Sequence, residues 1–286
     1  MTATEVGFVG LGNMGSVLAS NLVAAGFSVL AHDVAGPSRR PAGATWAPSV
    51  EAVAAGVEIV VLSLPDAAVV ELVGAQLLKA PGRRVTHVID TSTIGVGAAR
   101  TVAALLDADG VGYVEAPVSG GVAGAQARTL AVMCAGRGEA LAAAAPVLAG
   151  LSDRVLRVSD QPGAAQALKL ANNFLSATAL AATSEAIAFG MANGLDMATM
   201  LGVLNVSSGR SAATDDKFPN HVLTGRYASG FANSLMAKDL RLYLSATAES
   251  GAPVRIGEAT ADVWERFAER SPGADFTRIF PFVHGE

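Results

Sequence analysis

The sequence predicts an α/β domain built on a parallel sheet, followed by an all-α C-terminal domain. Up to about Val158, short β-branched runs alternate with Ala-rich segments of helical length, which is typical of a parallel sheet covered by helices on both faces. After Gln161-Pro162-Gly163 the strand pattern stops. The chain is about twice as long as a common domain. We therefore expect two domains, 1–161 and 162–286.

Six strands are expected in the first domain, each a short run of β-branched and apolar residues. They are Val6–Val9, Ser28–Ala31, Glu58–Leu62, Val85–Ile89, Tyr113–Ala116 and Thr129–Met133.

Four helices are expected in the second domain, where Gly and Pro residues separate the apolar periodic segments. They are Ala164–Ala192, Met197–Asn205, Met236–Glu249 and Ile256–Arg270. The first of these contains no Pro, and Asn193-Gly194 provides its end. It is apolar around most of its circumference, so we expect it to pack between other elements and against a partner subunit in a homodimer or homotetramer.

Composition and charge exclude several other classes of protein. Hydrophobic residues make up 51% of the chain and charged residues 16%, with a net charge of −5. The Lys and Arg residues are scattered, so no basic surface for nucleic acid is expected. Cys134, the one cysteine, lies in an apolar run and is expected in the core. No signal peptide or apolar run of membrane-spanning length is found, so we expect a cytoplasmic protein without a membrane partner.

A glycine-rich motif directly follows the first expected strand and opens an Ala- and Leu-rich segment. The run Gly10-Leu11-Gly12-Asn13-Met14-Gly15 has the spacing of a Rossmann-type dinucleotide-binding turn. Its glycines permit a tight turn and close approach of the backbone to a pyrophosphate at the helix N-terminus. Asp33 ends the second strand and is expected to bind the adenosine ribose. Since Val34 rather than Arg follows it, NAD is favoured, with NADP possible through Arg39 or Arg40.

With the second domain included, the sequence resembles the β-hydroxyacid dehydrogenases, the family of 3-hydroxyisobutyrate dehydrogenase and tartronate semialdehyde reductase. The resemblance covers nearly the whole chain and depends on motifs in a fixed order. After the glycine turn these are Leu64-Pro65, Asp90-Thr91-Ser92-Thr93, Ala116-Pro117-Val118-Ser119-Gly120-Gly121, Lys169-Leu170-Ala171-Asn172-Asn173, and Lys238-Asp239-Leu240.

The resemblance implies roles for residues at the strand ends. It places Leu64 and Pro65 along the cofactor and Thr93 beside the nicotinamide, where a parallel sheet holds its ligands. Ser119-Gly120-Gly121 would bind a substrate carboxylate through a hydroxyl and two unobstructed N–H groups. The family usually has Asp four residues before this Ser, whereas Glu115 stands here.

Lys169 is the expected catalytic residue. Hydride transfer needs a proton donor for the forming alkoxide and a base in the reverse direction, and an amine near the reacting oxygen serves as both. Asn173 lies four positions later, on the same helix face, and would orient the substrate. Lys238 would lie beside the cofactor or substrate, with Asp239 as a nearby charge. A surface salt bridge is the alternative for Lys238.

The predicted function is NAD(P)-dependent interconversion of a small β-hydroxy acid and its semialdehyde, without a metal. The histidines are too far apart in sequence to suggest a metal site. Three alternatives share the dinucleotide-binding domain: an imine reductase, which generally lacks this Lys; a 6-phosphogluconate dehydrogenase, whose second domain is far longer; and a dinucleotide sensor without catalytic activity.

Overall fold

The computed structural model describes residues 4–285, which form two compact units, one up to Lys169 and one from Leu170. The predicted boundary after residue 161 precedes this division. The reason is that the first residues of the following helix form hydrogen bonds to the sheet domain, through Ala165 and Gln166.

The first unit contains a nine-stranded sheet in the order β3-β2-β1-β4-β5-β6-β8-β7, with β9 paired to β8. The strands are β1 (Glu5–Val9), β2 (Ser28–His32), β3 (Thr45–Trp46), β4 (Ile59–Leu62), β5 (His87–Asp90), β6 (Gly112–Glu115), β7 (Val118–Ser119), β8 (Ala131–Ala135) and β9 (Arg154–Ser159). The helices of this unit are α1 (Gly15–Ala24), α2 (Val50–Gly56), α3 (Ala67–Lys79), α4 (Val96–Ala108), α5 (Gly121–Gln126) and α6 (Gly138–Leu151).

Helices cover both faces of this sheet, as predicted. Phe8, Leu18 and Leu22 belong to a core that β1 shares with α1 and α6. On the opposite face, Val60 and Leu77 belong to a core that β4 shares with α2, α3 and α4. Two-sided burial explains why the central strands are continuous apolar runs.

The prediction of a parallel sheet holds for β1 to β6, but β8 runs antiparallel to β6 and β7. A parallel return needs a full crossover connection, whereas here β7 pairs with β8 itself and α5 has only six residues. Strands β3, β7 and β9 were not predicted. The first two have two residues each, and β9 contains two arginines and has no fully buried residue.

The helices that follow are α7 (Ala164–Ala192), α8 (Met197–Leu204), a π-helix (Ala213–Val222), α9 (Asn233–Ser250), α10 (Arg255–Arg270) and α11 (Ile279–His284). The second unit is all-helical, as predicted, and its core surrounds Trp264, Phe218 and Leu240. The π-helix and α11 were not predicted. The π-helix contains Pro219 and several charged residues, which are typical of a loop in sequence.

Helix α7 has the predicted bounds but is less buried than expected. By length and composition it is the one helix of residues 4–285 that could cross a membrane, a test that the core helix of a globular protein also passes. Only 33% of its most apolar window is buried. Its exposed positions include Leu175, Ala182 and Phe189, each seven residues from the next, which therefore lie on one face.

Candidate dinucleotide and catalytic site

The glycine turn joins β1 to α1 and requires Gly at two positions for packing reasons. Gly10 has a φ of +97°, and a Cβ there would lie 2.3 Å from the Ser63 carbonyl oxygen. A Cβ on Gly15 would lie 2.0 Å from the Gly10 carbonyl oxygen. Gly12 differs, because no described atom lies within 4 Å of its Cβ position. The backbone at Gly12 is therefore open, as a turn that receives a pyrophosphate requires.

Asp33 follows β2 and connects the turn to that strand. One carboxylate oxygen accepts a hydrogen bond from the Leu11 N–H at 2.5 Å, and the other accepts one from the Ala35 N–H at 2.8 Å. The next side chain, Val34, is 98% exposed. The acidic group predicted to bind the ribose is thus held beside Leu11 in the middle of the glycine turn.

A cavity of about 400 Å³ lies next to Asp33 and extends over Trp46 to the start of α2. The charged residues among its described lining are Asp33 and Glu51, apart from the ring of His32, and no Lys or Arg contributes. Arg40 donates a hydrogen bond to the Ala44 carbonyl oxygen. The cavity has the size and location for the adenosine part of a dinucleotide, and its carboxylates disfavour an added phosphate.

The structure brings Leu64, Pro65 and Thr93 to the carboxyl edge of neighbouring strands. Leu64 and Pro65 follow β4, and Thr93 follows β5, while β4 lies between β1 and β5 in the sheet. The Leu64 N–H donates to Ser92 Oγ at 2.9 Å, which connects the two strand exits. These residues therefore share one sheet edge with the glycine turn.

Ser119, Gly120 and Gly121 form a tight turn between β7 and α5. Gly120 and Gly121 have φ values of +132° and +67°, a backbone conformation that residues with a Cβ rarely adopt. Leu130 packs against the turn, 3.0 Å from the Cβ position of Gly120. The two glycines are therefore required by the backbone itself.

Lys169 and Asn173 lie one helical turn apart on α7 and are both buried, with exposures of 7% and 5%. A buried Lys is uncommon, and burial of an ammonium favours its neutral form. Within the second unit, the Asn173 amide donates to the Asp239 carboxylate at 2.6 Å. Lys238 on α9 lies 3.4 Å from the same carboxylate. Asp239 therefore fixes the orientation of Asn173, a contact that spacing along the chain did not predict.

Glu115 and Gln166 are supporting residues that the sequence analysis did not assign. The fully buried Glu115 carboxylate accepts hydrogen bonds from the N–H groups of Ala165 at 3.1 Å and Gln166 at 3.2 Å. The Gln166 side chain accepts from the N–H groups of Ile94 and Gly95, at 3.1 and 3.2 Å. Polar residues at the end of an apolar strand and in the first turn of an apolar helix were the available signal.

The Glu115 carboxyl group has an unusual environment. Burial raises its pKa from 4.5 to about 7, the hydrogen bonds from the start of α7 act in the opposite direction, and nearby Asp90 raises it further. Tyr113 donates a hydrogen bond to Asp90 at 3.1 Å. Burial also raises the pKa of the Tyr113 hydroxyl well above its usual value.

Within residues 4–285, no group of three or more His, Cys, Asp or Glu side chains is arranged to hold a metal ion. Cys134 is buried, as expected, and burial raises the pKa of its thiol.

Family models match both parts of the chain. Residues 5–159 match the family model described as the NAD binding domain of 6-phosphogluconate dehydrogenase. Residues 163–283 match the model described as the NAD-binding of NADP-dependent 3-hydroxyisobutyrate dehydrogenase.

Relatives match along most of their length. The chain is 34% identical to 2-(hydroxymethyl)glutarate dehydrogenase of Eubacterium barkeri, over 91% of this chain and 88% of the relative. It is 35% identical to 3-hydroxyisobutyrate dehydrogenase of Pseudomonas aeruginosa, over 99% of both. The structure of Mycobacterium tuberculosis 3-hydroxyisobutyrate dehydrogenase with L-serine aligns with a TM-score of 0.91 and 33% identity, over 99% of both chains.

The fold and the matched models define a nicotinamide dinucleotide-dependent oxidoreductase. With relatives of this similarity over nearly its full length, the chain belongs to the β-hydroxyacid dehydrogenase family, as its motif order predicted.

Proposed function

We propose that the protein catalyses the reversible NAD-dependent oxidation of a small β-hydroxy acid, such as 3-hydroxyisobutyrate, to its semialdehyde, with Lys169 as general acid and base. The observation that carries this proposal is the buried Lys169 side chain on the same face of α7 as buried Asn173. The relatives, named as dehydrogenases of 3-hydroxyisobutyrate and of 2-(hydroxymethyl)glutarate, support the substrate class.

The proposed chemistry needs one protein group for the proton. Oxidation removes a hydride from the carbon that carries the hydroxyl and a proton from the hydroxyl oxygen. The dinucleotide, when bound, takes up the hydride and returns it in the reverse direction. The neutral Lys169 amine accepts the proton during oxidation, and its ammonium form donates it to the carbonyl oxygen during reduction.

In the proposed mechanism, two groups of residues orient the substrate. The Ser119 hydroxyl and the N–H groups of Gly120 and Gly121 bind the substrate carboxylate. The Asn173 amide, held by Asp239, orients the reacting oxygen. Lys238 lies beside the substrate or the cofactor and adds positive charge that favours an acid substrate.

The cofactor contacts follow from the edge that the strand ends share. The backbone of Gly10-Leu11-Gly12-Asn13-Met14-Gly15 binds the pyrophosphate, and Leu64, Pro65 and Thr93 line the nicotinamide end. Asp33 binds the ribose and favours NAD over NADP, in agreement with the absence of Lys and Arg from the described lining of the adjacent cavity.

The protein is further proposed to be a cytoplasmic homodimer or homotetramer. Exposed Leu175, Ala182 and Phe189 on one face of α7 support association, because an apolar helix face of this kind is normally covered. The single buried Cys134 is compatible with a reducing compartment.

Replacement of Lys169 tests the proposed role. Lys169→Ala should lower kcat by about 10²-fold or more, the usual scale for loss of a general acid or base, while the dinucleotide Kd stays nearly unchanged. Lys79→Ala, which removes an exposed Lys at the end of α3, is the matched control and should keep the wild-type rate. A Lys169→Ala enzyme with a near wild-type kcat would show that another group transfers the proton.

A substrate panel separates the proposed function from its alternatives. Initial rates with 3-hydroxyisobutyrate, 2-(hydroxymethyl)glutarate, glycerate, serine, 4-hydroxybutyrate and sulfonate analogues are measured with NAD and with NADP. The highest kcat/KM is expected for a β-hydroxy acid with NAD. Reduction of a cyclic imine without hydroxy acid turnover would indicate an imine reductase. Dinucleotide binding without any turnover would indicate a sensor.

A further inference from the structure

A buried carboxylate, that of Glu115, connects the start of α7 to the sheet. Both oxygens of Glu115, at the end of β6, accept hydrogen bonds from consecutive N–H groups of the first turn, at Ala165 and Gln166. These N–H groups have no acceptor within the helix, and the helix dipole concentrates partial positive charge there. Glu115 therefore fixes both the position and the rotation of the first turn.

A second set of hydrogen bonds extends this attachment to the segment that follows β5. Gln166 accepts hydrogen bonds from the Ile94 and Gly95 N–H groups and donates one from its side chain to the Ser92 carbonyl oxygen at 2.9 Å. Thr93 lies within this segment. Gln166 therefore makes both connections. Its backbone N–H binds Glu115, and its side chain holds the segment predicted to lie beside the nicotinamide.

Lys169 follows Gln166 by three residues, which is about 4.5 Å along the helix axis. A rotation or shift of the first turn therefore moves the Lys169 side chain directly. A displacement of about 1 Å at a reacting group can lower the rate by about 10²-fold.

We infer that Glu115 is a positioning residue of this enzyme. Its ionised carboxylate holds the first turn of α7 in the position that places Lys169 and residues 92–95, which include Thr93, correctly for the substrate. This inference rests on the proposed role of Lys169. It also gives a physical reason for a charged side chain at a fully buried position.

Among the described residues, Asp90 of β5 is the titratable group that raises the pKa of Glu115, and Tyr113 of β6 is bonded to Asp90. Helix α7 contributes backbone N–H groups. With the pKa of Glu115 near 7, the carboxylate becomes protonated as the pH falls through neutrality. A protonated carboxyl offers one acceptor oxygen where two are used. The rate should therefore fall on the acid side of about pH 7.

The reduction direction separates this effect from the titration of Lys169. Reduction needs Lys169 in its ammonium form, so loss of that proton lowers kcat only as the pH rises. A fall in kcat as the pH drops through about 7 then reports a different group. Oxidation would not distinguish them, because protonation of Lys169 would also lower the rate on the acid side.

The test measures kcat for reduction of 2-methyl-3-oxopropanoate, the aldehyde of 3-hydroxyisobutyrate, with saturating NADH. The pH is varied from about 5.5 to about 9, so that the profile includes the fall in kcat on the acid side (the acid limb) and on the alkaline side (the alkaline limb). Glu115→Gln should lower kcat at least about tenfold above pH 7 and remove the acid limb, but keep the alkaline limb and the NADH Kd. Glu115→Asp, which keeps a carboxylate, should recover part of the rate and retain the limb. Asp196→Asn removes an exposed carboxylate that caps α8 and should leave the profile unchanged.

The outcomes are distinct. If Glu115→Gln keeps the wild-type acid limb and Lys169→Ala is inactive, the inference about Glu115 is overturned and the proposed function stands. A near wild-type rate in Lys169→Ala overturns the proposed function instead. If Glu115→Gln does not fold, Glu115→Asp decides: its limb should move to lower pH by about half a unit, the difference between the two side chains, and an unmoved limb rejects the inference.

Discussion

The Asp33 side chain places a negative charge next to the glycine turn, in the proposed dinucleotide site. Its carboxylate is fixed by the Leu11 and Ala35 N–H groups, so it cannot turn away easily when a ribose phosphate approaches. Glu51, in the first turn of α2, adds a second negative charge to the same cavity. A phosphate on the ribose would meet like charge at this position.

Cofactor preference should follow from these charges. Wild-type kcat/KM is expected to favour NAD over NADP by about 10²-fold, because like charges meeting at an interface cost a few kcal/mol. Asp33→Asn combined with Val34→Arg should shift the preference toward NADP by removing the repulsion and adding a guanidinium. Asp33→Asn alone isolates the repulsive part. A wild-type preference for NADP would contradict the role of Asp33 and indicate Arg39 or Arg40.

Glu115 should also make stability depend on pH. Because its pKa is raised from 4.5 to about 7 by folding, the folded protein binds this proton more tightly. The resulting stability is fully present below about pH 4.5 and is lost as the pH rises through about 7, by about 3 kcal/mol in total. Denaturant unfolding of the wild type and of Glu115→Gln, at pH values from about 4.5 to about 7, measures this change in the free energy of unfolding. A difference between the two proteins that does not vary with pH would contradict the buried, titrating carboxyl.

At the scale of the elements, the turn from β1 to α1 assigns different tasks to its glycines. Gly10 and Gly15 are required by the packing of the turn on itself and on Ser63. At Gly12, by contrast, no described atom lies within 4 Å of the Cβ position. The fold therefore does not require glycine at this position, and we propose that the close approach of a pyrophosphate does.

Single Ala substitutions should separate these tasks. Gly15→Ala should lower the free energy of unfolding by about 1–3 kcal/mol, because its Cβ meets a backbone oxygen that cannot move independently. Gly12→Ala should leave the melting temperature nearly unchanged but raise the NADH Kd by roughly tenfold or more, since the Cβ occupies the approach of the pyrophosphate.

Gly138→Ala is the matched control, since that position also has open space but lies outside the turn. It should affect neither measurement. A Gly12→Ala protein that binds NADH normally would exclude close approach of the cofactor at this position.

At the scale of the whole molecule, the exposed residues of α7 determine the expected assembly. Leu175 and Phe189 are 65% and 72% exposed, although each is a large apolar side chain. Burial of such a side chain stabilises an interface by about 1.5–3 kcal/mol. A two-fold symmetric contact would bury both copies of each side chain, one from each subunit.

The oligomer should therefore dissociate when this face becomes polar. Leu175→Ser with Phe189→Ser should sediment as a 28.8 kDa monomer at micromolar concentration, whereas the wild type is expected to sediment as a dimer or tetramer. Val206→Ser, which changes an exposed apolar residue outside α7, should leave the assembly intact. A stable wild-type monomer would show that this face stays uncovered.

The sequence by itself determined the features that depend on neighbours along the chain. The glycine turn was predictable because its conformation requires glycine at particular positions. The bounds of α7 were predictable because residues 164–192 contain no Pro, and their one Gly, Gly190, lies near the C-terminal end. The motif order identified the family, and the comparisons confirmed it.

Only the tertiary structure decided the features that depend on contacts between distant residues. The reversed direction of β8, the hydrogen bond between Asn173 and Asp239, and the attachment of Glu115 to α7 join positions that are far apart in the chain. Local pattern carries no information about such pairs, since each is selected by the packing around it. For Glu115, the sequence supplied the carboxylate, and burial in the folded chain raised its pKa to about 7.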